Sequence, residues 1–273
     1  MTSTADNKIL VTYPEPWIAQ VTLNIPKKYN AMTMELYRDL GAILRDIAVK
    51  DEILVTILTG NGVFFSAGAD FGTLMGTQED ETERNFWYRK FAANNLDVTR
   101  AFYQHPKILI TALNGPTIGL SAAIIAHSDF IYCTKSAYLF TPFTSLGLTA
   151  EGGASATLVH RLGLAKANEA LLLSKKITSE ELLSTGFING IYPDEKDSSV
   201  FHGKIIALTK ELFGDHLNRE SILKTKQIVR AQFMETLDKQ NLLEVYAGLE
   251  RFVKGAPQGE FMKLASGQKK HKL

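Results

Sequence analysis

The chain has 273 residues, of which 45% are hydrophobic, and this length and composition allow one sizeable hydrophobic core. Its 30 basic and 29 acidic residues leave a net charge of +1, so bulk charge gives no indication of nucleic-acid binding. The only cysteine, Cys133, excludes an internal disulfide. Because it lies in an apolar run, we predict a buried, unreactive thiol.

The first seven residues are small or polar, and they do not contain the apolar core of a secretory signal peptide. The uncharged stretch 108–128 is long enough to cross a bilayer. However, Asn114, Gly115 and Pro116 interrupt it, and a helix would not run smoothly through such a turn. We therefore expect a buried strand, a turn and a buried helix in this stretch.

Up to about Asn189, strand and helix patterns alternate along the chain. Strands are predicted where apolar or β-branched runs are bounded by turn residues, at 17–25, 53–59, 108–113, 130–134 and 137–140. Helices are predicted at 33–49, 87–103 and 120–126, and a polar loop at 72–83. This alternation predicts an α/β fold built from strand-strand-helix units.

The C-terminal part of the chain is predicted to be helical. Thr178 and Glu181 form a capping box that starts a helix at 179–184, and Gly186 suits its C′ position. Further helices are predicted at 201–213, 220–239 and 242–253. We place a boundary at the polar stretch 193–197, so that residues 1–195 form the core and residues 196–273 a C-terminal helical region.

Three segments stand out as candidates for a functional site. Two are glycine-containing turns between an apolar run and a predicted helix, at 64–71 and 114–123, and the third, 146–153, carries Glu151. Such turns direct backbone N–H groups at whatever lies in front of them. Two converging N–H groups and one carboxylate are what enolate chemistry on a thioester requires.

The motifs Phe-Phe-Ser-Ala-Gly-Ala-Asp-Phe, Asn-Gly-Pro-Thr-Ile-Gly-Leu-Ser-Ala and Glu-Gly-Gly, in this order, resemble those of the enoyl-CoA hydratase/isomerase (crotonase) superfamily. They are most similar to those of its fungal peroxisomal Δ3-Δ2-enoyl-CoA isomerases, and the resemblance runs from about Trp17 to the C-terminus. It implies a spiral of strand-strand-helix units with a C-terminal helical region that mediates trimer contacts. It also implies a shift of the double bond of 3-enoyl-CoA to give trans-2-enoyl-CoA during β-oxidation of unsaturated fatty acids.

The resemblance implies a role for particular residues. Glu151 would carry the proton, and the backbone N–H groups of Ala69 and Leu120 would form the oxyanion hole. The substrate-binding residues would be Ala67, Gly68, Ala69, Asp70, Phe71 and Leu120. Asp70 is expected to cap the helix that follows it. The reaction needs neither a metal ion nor a redox cofactor, since coenzyme A is part of the substrate.

Two residues argue against the hydratase branch of the family. Hydratases use two glutamates, at the positions that match Ala123 and Phe143 here. Neither alanine nor phenylalanine can move a proton. A shuttle by Glu151 alone therefore remains.

Several alternatives stay open from the sequence. A Δ3,5-Δ2,4-dienoyl-CoA isomerase would need an additional acidic residue, for which Asp97 and Asp129 are candidates. Asn94 or Asn95 could offer a polar side chain to the acyl pocket, although an ordinary helix surface is the favoured interpretation for both.

Two further readings concern chemistry of other kinds. A non-catalytic acyl-CoA-binding protein is possible, but the presence of Glu151 argues against it. Ser121 and His127, with Asp129 nearby, resemble a degraded nucleophile elbow. Six residues apart on a helix, however, Ser121 and His127 would face away from each other.

The tail His271-Lys272-Leu273 resembles the peroxisomal tripeptide Ser-Lys-Leu. It predicts a peroxisomal protein that binds an import receptor. A homotrimer or homohexamer is implied by the family. Lys27, Lys28 and the C-terminal lysines are candidates for contacts to the phosphates of coenzyme A, with solvated surface as the ordinary interpretation.

Overall fold

The computed structural model describes residues 2–3, 7–70, 72 and 81–270, and their strands form two sheets. The larger sheet contains, in spatial order, β1 (Thr2–Ser3), β2 (Ile9–Glu15), β3 (Ile18–Leu23), β4 (Val55–Gly60), β5 (Ile108–Leu113), β7 (Phe130–Thr134) and β10 (Gly190–Tyr192). The pairs β1–β2 and β2–β3 are antiparallel, and every pair from β3 to β10 is parallel. The smaller sheet has the order β6 (Thr117–Ile118), β8 (Tyr138–Phe140) and β9 (Ile177–Thr178).

The helices cover the larger sheet and extend beyond it. They are α1 (Met34–Ala48), α2 (Glu83–Trp87), α3 (Ala93–Tyr103), α4 (Leu120–Ile124), α5 (Ala154–Leu162), α6 (Leu164–Leu172), α7 (Ser179–Ser184), α8 (Ser198–Leu212), α9 (Arg219–Val253) and α10 (Ala256–Ala265). A π-helical turn, Tyr88–Ala92, joins α2 to α3. The expected α/β class is therefore confirmed.

The central parallel strands β4 and β5 are buried along their whole length. Strands that are covered by helices on both faces have continuous apolar runs, which is why they are recognisable in the sequence. On one side, the main core joins the sheet to α1 and α3. On the other side, Phe201 and Ile205 of α8 pack with Val55, Ile57 and Ile110.

The predicted strands and helices of the core agree with the structure to within a few residues. The capping box of Thr178 and Glu181 is present, and it starts α7 as expected. Strand β2 is not predicted by the sequence patterns, because only Ile9 and Val11 of its seven residues are buried.

The C-terminal region differs from the prediction at two points, of which the first is that helix α10 (Ala256–Ala265) is not predicted. The two helices expected at 220–239 and 242–253 are a single helix of 35 residues, α9. Asn241 does not break the helix, because its side chain is buried and donates a hydrogen bond to the carbonyl oxygen of Leu96 on α3, at 3.2 Å. The polar residues Asn241 and Glu244 are thus buried against the core, and the chain does not turn there.

Some sequence predictions fall outside the described residues. These are Phe71, most of the predicted loop at 72–83 and the tripeptide His271-Lys272-Leu273. Of the helices that the structure describes, none has the length and apolar character needed to cross a membrane.

Candidate active site

The turn at residues 66–70 is held in place by a parallel β-bridge between Ala69 and Met32. The N–H of Met32 donates to the carbonyl oxygen of Gly68 at 2.8 Å, and the N–H of Asp70 donates to the carbonyl oxygen of Met32 at 2.9 Å. In a bridge of this pattern, the residue between the two bonded groups directs its own N–H to the opposite side. The N–H of Ala69 therefore points away from Met32.

The second turn presents the start of α4. Gly119 has φ 62° and ψ −133°, a conformation that favours glycine, and its N–H donates to the carbonyl oxygen of Phe140 at 2.8 Å. Leu120 is the first residue of α4, so its N–H has no partner within the helix. The helix N-terminus adds partial positive charge at this position.

The two turns lie against each other. Gly68 has φ 86°, and a Cβ atom at this position would lie 2.8 Å from the carbonyl oxygen of Ile118. Only glycine allows this approach. Within the described residues, neither the N–H of Ala69 nor that of Leu120 donates a hydrogen bond. The structure thus brings two available N–H groups to one place.

A small cavity of about 40 Å³ lies in front of these N–H groups. It is lined by Met34, Ala67, Gly68, Ala69, Phe91, Ile118, Gly119, Leu120, Pro142, Phe143, Leu146, Leu148, Glu151 and Phe252. Among these residues Glu151 alone is ionisable. The three sequence segments proposed for the site therefore meet at one cavity.

Two glycines after Glu151 bring its loop close to α4. Gly152 and Gly153 have φ 72° and 75°. A Cβ atom on Gly152 would lie 2.7 Å from Cβ of Ala123 and 3.0 Å from Cδ1 of Leu120. The loop can approach α4 this closely only because residue 152 has no side chain.

Asn95 is buried against Glu151, where the sequence favoured a helix surface. Its side chain is buried, and its Nδ2 atom donates to Oε2 of Glu151 at 2.8 Å. The favoured interpretation of Asn95 as helix surface was therefore wrong. Asn94 instead donates to the carbonyl oxygen of Lys90 in the preceding turn, at 2.8 Å. Neither asparagine lines the cavity, so Asn95 reaches it only through its bond to Glu151.

A second buried carboxylate lies behind Glu151. Glu244 of α9 is 5% exposed, and its two oxygens accept hydrogen bonds from the N–H groups of Gly153 and Ser155, each at 2.7 Å. Burial raises the pKa of Glu151 to about 8, the negative charge of Glu244 adds to this rise, and the hydrogen bond from Asn95 opposes it. A carboxyl group whose pKa is raised in this way can exchange a proton near neutral pH.

Glu244 was missed in the sequence, although a signal for it exists. Asn241, Val245, Gly248 and Phe252 recur at the helical spacing of a buried face, and Glu244 lies within that stripe. A charged residue on the buried stripe of a helix is rarely left without partners. This pattern identifies Glu244 as unusual, but it does not indicate which groups it binds.

The two acidic residues considered for a dienoyl-CoA reaction lie elsewhere. Asp97 forms a bidentate ion pair with Arg45 at 3.0 and 2.8 Å on the surface. Burial alone would raise the pKa of Asp129, but Lys226 and Arg230, at 2.6 and 2.8 Å, hold it below its ordinary value. Asp129 borders a wider groove of about 1010 Å³ between α5 and α9, and neither residue lines the cavity of Glu151.

Ser121 and His127 do not form a nucleophile and base pair. The hydroxyl of Ser121 hydrogen-bonds to Tyr37 at 2.8 Å and to Ser66 at 2.9 Å. The Nε2 atom of His127 hydrogen-bonds to the carbonyl oxygen of Gly152, at 2.9 Å. The elbow interpretation is therefore not supported by the geometry.

Cys133 and the two hydratase positions behave as expected. Cys133 is buried, and burial raises the pKa of its thiol to about 12. Ala123 and Phe143 are buried apolar residues next to the cavity. Among the described residues, no three His, Cys, Asp or Glu side chains lie together in a way that could hold a metal ion.

Asp70 pairs with a lysine at the edge of the turn. Its Oδ2 atom lies 2.8 Å from Nζ of Lys28. The residue after Asp70 lies outside the described ranges, so its expected helix-capping role stays a prediction. Ala67 is held by a hydrogen bond from its N–H to the carbonyl oxygen of Tyr29, at 2.8 Å.

The chain is similar to known proteins in both sequence and fold. The chain is 47% identical over 268 residues to a Δ3,5-Δ2,4-dienoyl-CoA isomerase of Pyricularia oryzae, covering 94% of this chain and 96% of that protein. It is 34% identical to the 3,2-trans-enoyl-CoA isomerase of Saccharomyces cerevisiae, covering 91% of each chain. The fold matches the crystal structure of an enoyl-CoA hydratase/isomerase from Pseudoalteromonas atlantica with a TM-score of 0.83, at 23% identity, over 97% of this chain and 100% of that one.

The expected crotonase-like architecture is confirmed by the structural match. The family model for enoyl-CoA hydratase/isomerase matches residues 15–254, which is most of the chain and includes all three segments of the site. The chain belongs to the enoyl-CoA hydratase/isomerase family.

Proposed function

We propose that the protein is an enoyl-CoA isomerase that converts 3-enoyl-CoA to trans-2-enoyl-CoA in the β-oxidation of unsaturated fatty acids. One observation carries the proposal. Glu151 is the single ionisable side chain among the described residues of a cavity that also contains the available N–H groups of Ala69 and Leu120. A double-bond shift between adjacent positions needs one proton carrier and one oxyanion site.

In the proposed reaction, the thioester oxygen accepts hydrogen bonds from the N–H groups of Ala69 and Leu120. Glu151 takes a proton from C2, and the electron pair moves onto the thioester oxygen to give a dienolate. The same carboxyl group then returns the proton to C4, so that the C3–C4 double bond is lost and a C2–C3 double bond forms. Loss of one oxyanion donor typically raises such a barrier by ~3–4 kcal/mol.

The alternative substrate is a 3,5-dienoyl-CoA. It is favoured by the 47% identity to a protein named for that reaction. In a 3,5 to 2,4 shift, the proton leaves C2 and a proton arrives at C6, four bonds away, so a second proton carrier is expected. The cavity around Glu151 offers no second acidic side chain among its described residues, which supports the 3-enoyl substrate.

Further parts of the proposal concern binding and location. We propose that the backbone of residues 67–71 binds the coenzyme A arm and that the protein assembles as a trimer or a dimer of trimers. We also propose a peroxisomal location, with His271-Lys272-Leu273 read by the import receptor. The reaction as written needs neither a metal ion nor a redox cofactor.

The test is turnover of 3-hexenoyl-CoA and 3,5-octadienoyl-CoA, followed by chromatographic separation of substrate and product. Wild type, Glu151→Gln and the surface control Asp97→Asn are compared. We expect the wild type to form 2-hexenoyl-CoA, Glu151→Gln to lose at least about 10²-fold in kcat, and Asp97→Asn to match wild type. Faster turnover of the dienoyl substrate would favour the alternative.

Two outcomes would overturn the proposal as a whole. Release of free coenzyme A would indicate a thioesterase, and binding of both substrates without product would indicate a non-catalytic protein. Hydration of 2-hexenoyl-CoA serves as a further control, since Ala123 and Phe143 occupy the positions of the hydratase glutamates. A tagged chain with and without its last three residues, observed in cells, tests the location.

A further inference from the structure

We propose that Glu244 is a positioning residue for the base: from helix α9 it holds the Glu151-Gly152-Gly153 turn in place and presents a negative charge behind it. The inference rests on the proposed function, in which Glu151 carries the proton. Glu244 does not line the cavity, so it acts through Glu151 and not on the substrate. Three observations carry the proposal.

The first observation is that α5 has no cap of its own. Its N-cap residue is Gly153, no side chain caps the helix locally, and its first turn contains no acidic residue. The first N–H groups of a helix need acceptors, and a carboxylate is the strongest available one. Glu244 supplies both acceptor oxygens, to Gly153 and Ser155, from a position 91 and 89 residues away in the sequence.

The second observation is that this capping interaction fixes the base. Gly153 is two residues after Glu151, and both Gly152 and Gly153 adopt positive φ. Glycine backbones are the most mobile of all, so a turn of this kind keeps one conformation only where its neighbours hold it. His127 holds the other side of the turn by its hydrogen bond to the carbonyl oxygen of Gly152.

The third observation is that α9 also reaches the partner of the base. Asn241, one turn before Glu244, donates to the carbonyl oxygen of Leu96, the residue that follows Asn95. Asn95 in turn donates to Glu151. One turn of α9 thus contacts both segments that meet at the base, and docking of the C-terminal helix sets the distance between them.

The electrostatic surroundings of Glu151 make Glu244 its main charged neighbour. Tyr37 of α1 faces the carboxylate, and burial keeps its hydroxyl neutral by raising its pKa. His127 is buried, which lowers its pKa to about 4 and leaves it neutral. Among the described residues, Glu244 is therefore the charged group that disfavours ionisation of Glu151, which makes Glu151 a stronger base. Burial also raises the pKa of Glu244 itself, whereas the hydrogen bonds that it accepts at the start of α5 favour its ionised form.

The test compares Glu244→Gln with Glu250→Gln, an exposed glutamate on the same helix. The glutamine keeps one acceptor, but its amide group opposes the second backbone N–H, and the charge is lost. We expect the apparent pKa of the acid limb, in the profile of kcat/KM against pH, to fall by about one unit because a like charge has been removed. We also expect kcat on the alkaline plateau to fall at least about tenfold, since the turn is held less well.

The control variant Glu250→Gln is expected to keep the wild-type apparent pKa and the wild-type kcat. A folded Glu244→Gln enzyme with the wild-type apparent pKa and a kcat within twofold of wild type would overturn the inference. A residue that only caps α5 would change the melting temperature and neither of these two values. If Glu244→Gln does not fold, Glu244→Asp takes its place. Aspartate keeps the negative charge, but its side chain is one methylene group shorter. We therefore expect an unchanged apparent pKa and a kcat lowered at least about tenfold. A wild-type kcat would overturn the inference.

A second measurement separates this inference from the proposed function. Glutamate carboxyl groups labelled with 13C are titrated by NMR in wild type and Glu244→Gln, with Glu151→Gln used for assignment. A downward move of the Glu151 titration supports the link between the two residues even if neither substrate is turned over. An unchanged Glu151 titration in the folded variant contradicts the link, whatever the enzyme's activity.

Discussion

The side-chain amide of Asn95 donates a hydrogen bond of 2.8 Å to the carboxylate of Glu151, across 56 residues of sequence. The bond fixes one oxygen of the carboxylate, Oε2, at the edge of a cavity that Glu151 lines. It stabilises the ionised form of Glu151, whereas burial and the charge of Glu244 favour the neutral form. The balance between these effects sets how strongly the group can act as a base.

The pH dependence of the reaction follows from this balance. Glu151 must be ionised to take a proton from C2, and its pKa is raised to about 8. We expect kcat/KM to fall about tenfold for each pH unit below about 8 and to level off above it. The measurement is turnover of 3-hexenoyl-CoA at low substrate concentration across this range. A profile that stays level down to about pH 6 would contradict the assignment.

Loss of the Asn95 side chain should leave the Glu151 carboxylate less well positioned and should raise its pKa. We expect Asn95→Ala to lower kcat by roughly 10- to 100-fold and to move the acid limb of the profile upward, because the bond that favours the ionised form is gone. Asn94→Ala is the matched control, since that side chain bonds to backbone carbonyl oxygens of the preceding π-helical turn. Equal effects of the two substitutions would refute the distinction.

Glu151 should also carry a measurable cost in stability. Its ordinary pKa of 4.5 rises to about 8 in the folded protein, so the folded state binds the proton more tightly than the unfolded chain. The favourable contribution is complete below about pH 4.5 and is lost as the pH rises to about 8. Glu151→Gln has no such loss. We therefore expect the variant to gain stability over wild type with rising pH in this window, by at most about 1.4 kcal/mol per unit.

Urea unfolding of both proteins at about pH 5 and pH 8 measures this difference. The comparison is between the two pH values and not between the proteins at one pH, so other effects of the substitution cancel. A difference that is the same at both pH values would show that the pKa of Glu151 is not raised.

The glycine at position 68 should be essential to the geometry of the oxyanion turn. A Cβ atom there would lie 2.8 Å from the carbonyl oxygen of Ile118, at φ 86°. We expect Gly68→Ala to lower kcat/KM by more than about tenfold and stability by roughly 1–3 kcal/mol. Gly186→Ala is the control, because Gly186 has φ 76° but no atom within 4 Å of an added Cβ. It should lose stability to backbone strain alone and keep full activity.

Asp97 tests whether a remote acid contributes to dienoyl-CoA turnover. It pairs with Arg45 on the surface and is absent from the lining of the cavity. We expect Asp97→Asn to leave the ratio of rates on 3-hexenoyl-CoA and 3,5-octadienoyl-CoA unchanged. Selective loss of the dienoyl activity would mean that Asp97 reaches the substrate in solution. The measured quantity is kcat/KM for each substrate.

The sequence by itself determined the local elements and the candidate groups of the site. Glycines at 68, 119, 152 and 153 are recognisable because tight turns and close backbone approaches require them. Apolar runs predicted the buried strands β4 and β5, since strands covered on both faces must be apolar throughout. Glu151 stands in an uncharged stretch, which drew attention to it before its surroundings were known.

Only the tertiary structure decided which distant residues meet at Glu151. Asn94 and Asn95 are identical side chains at adjacent positions, and which of them faces the base depends on how α3 packs against the loop. Glu244 reaches Gly153 across 91 residues because α9 runs unbroken past Asn241 and packs against α3 and α5. Local propensity acts over a few residues, whereas these contacts depend on the packing of whole helices.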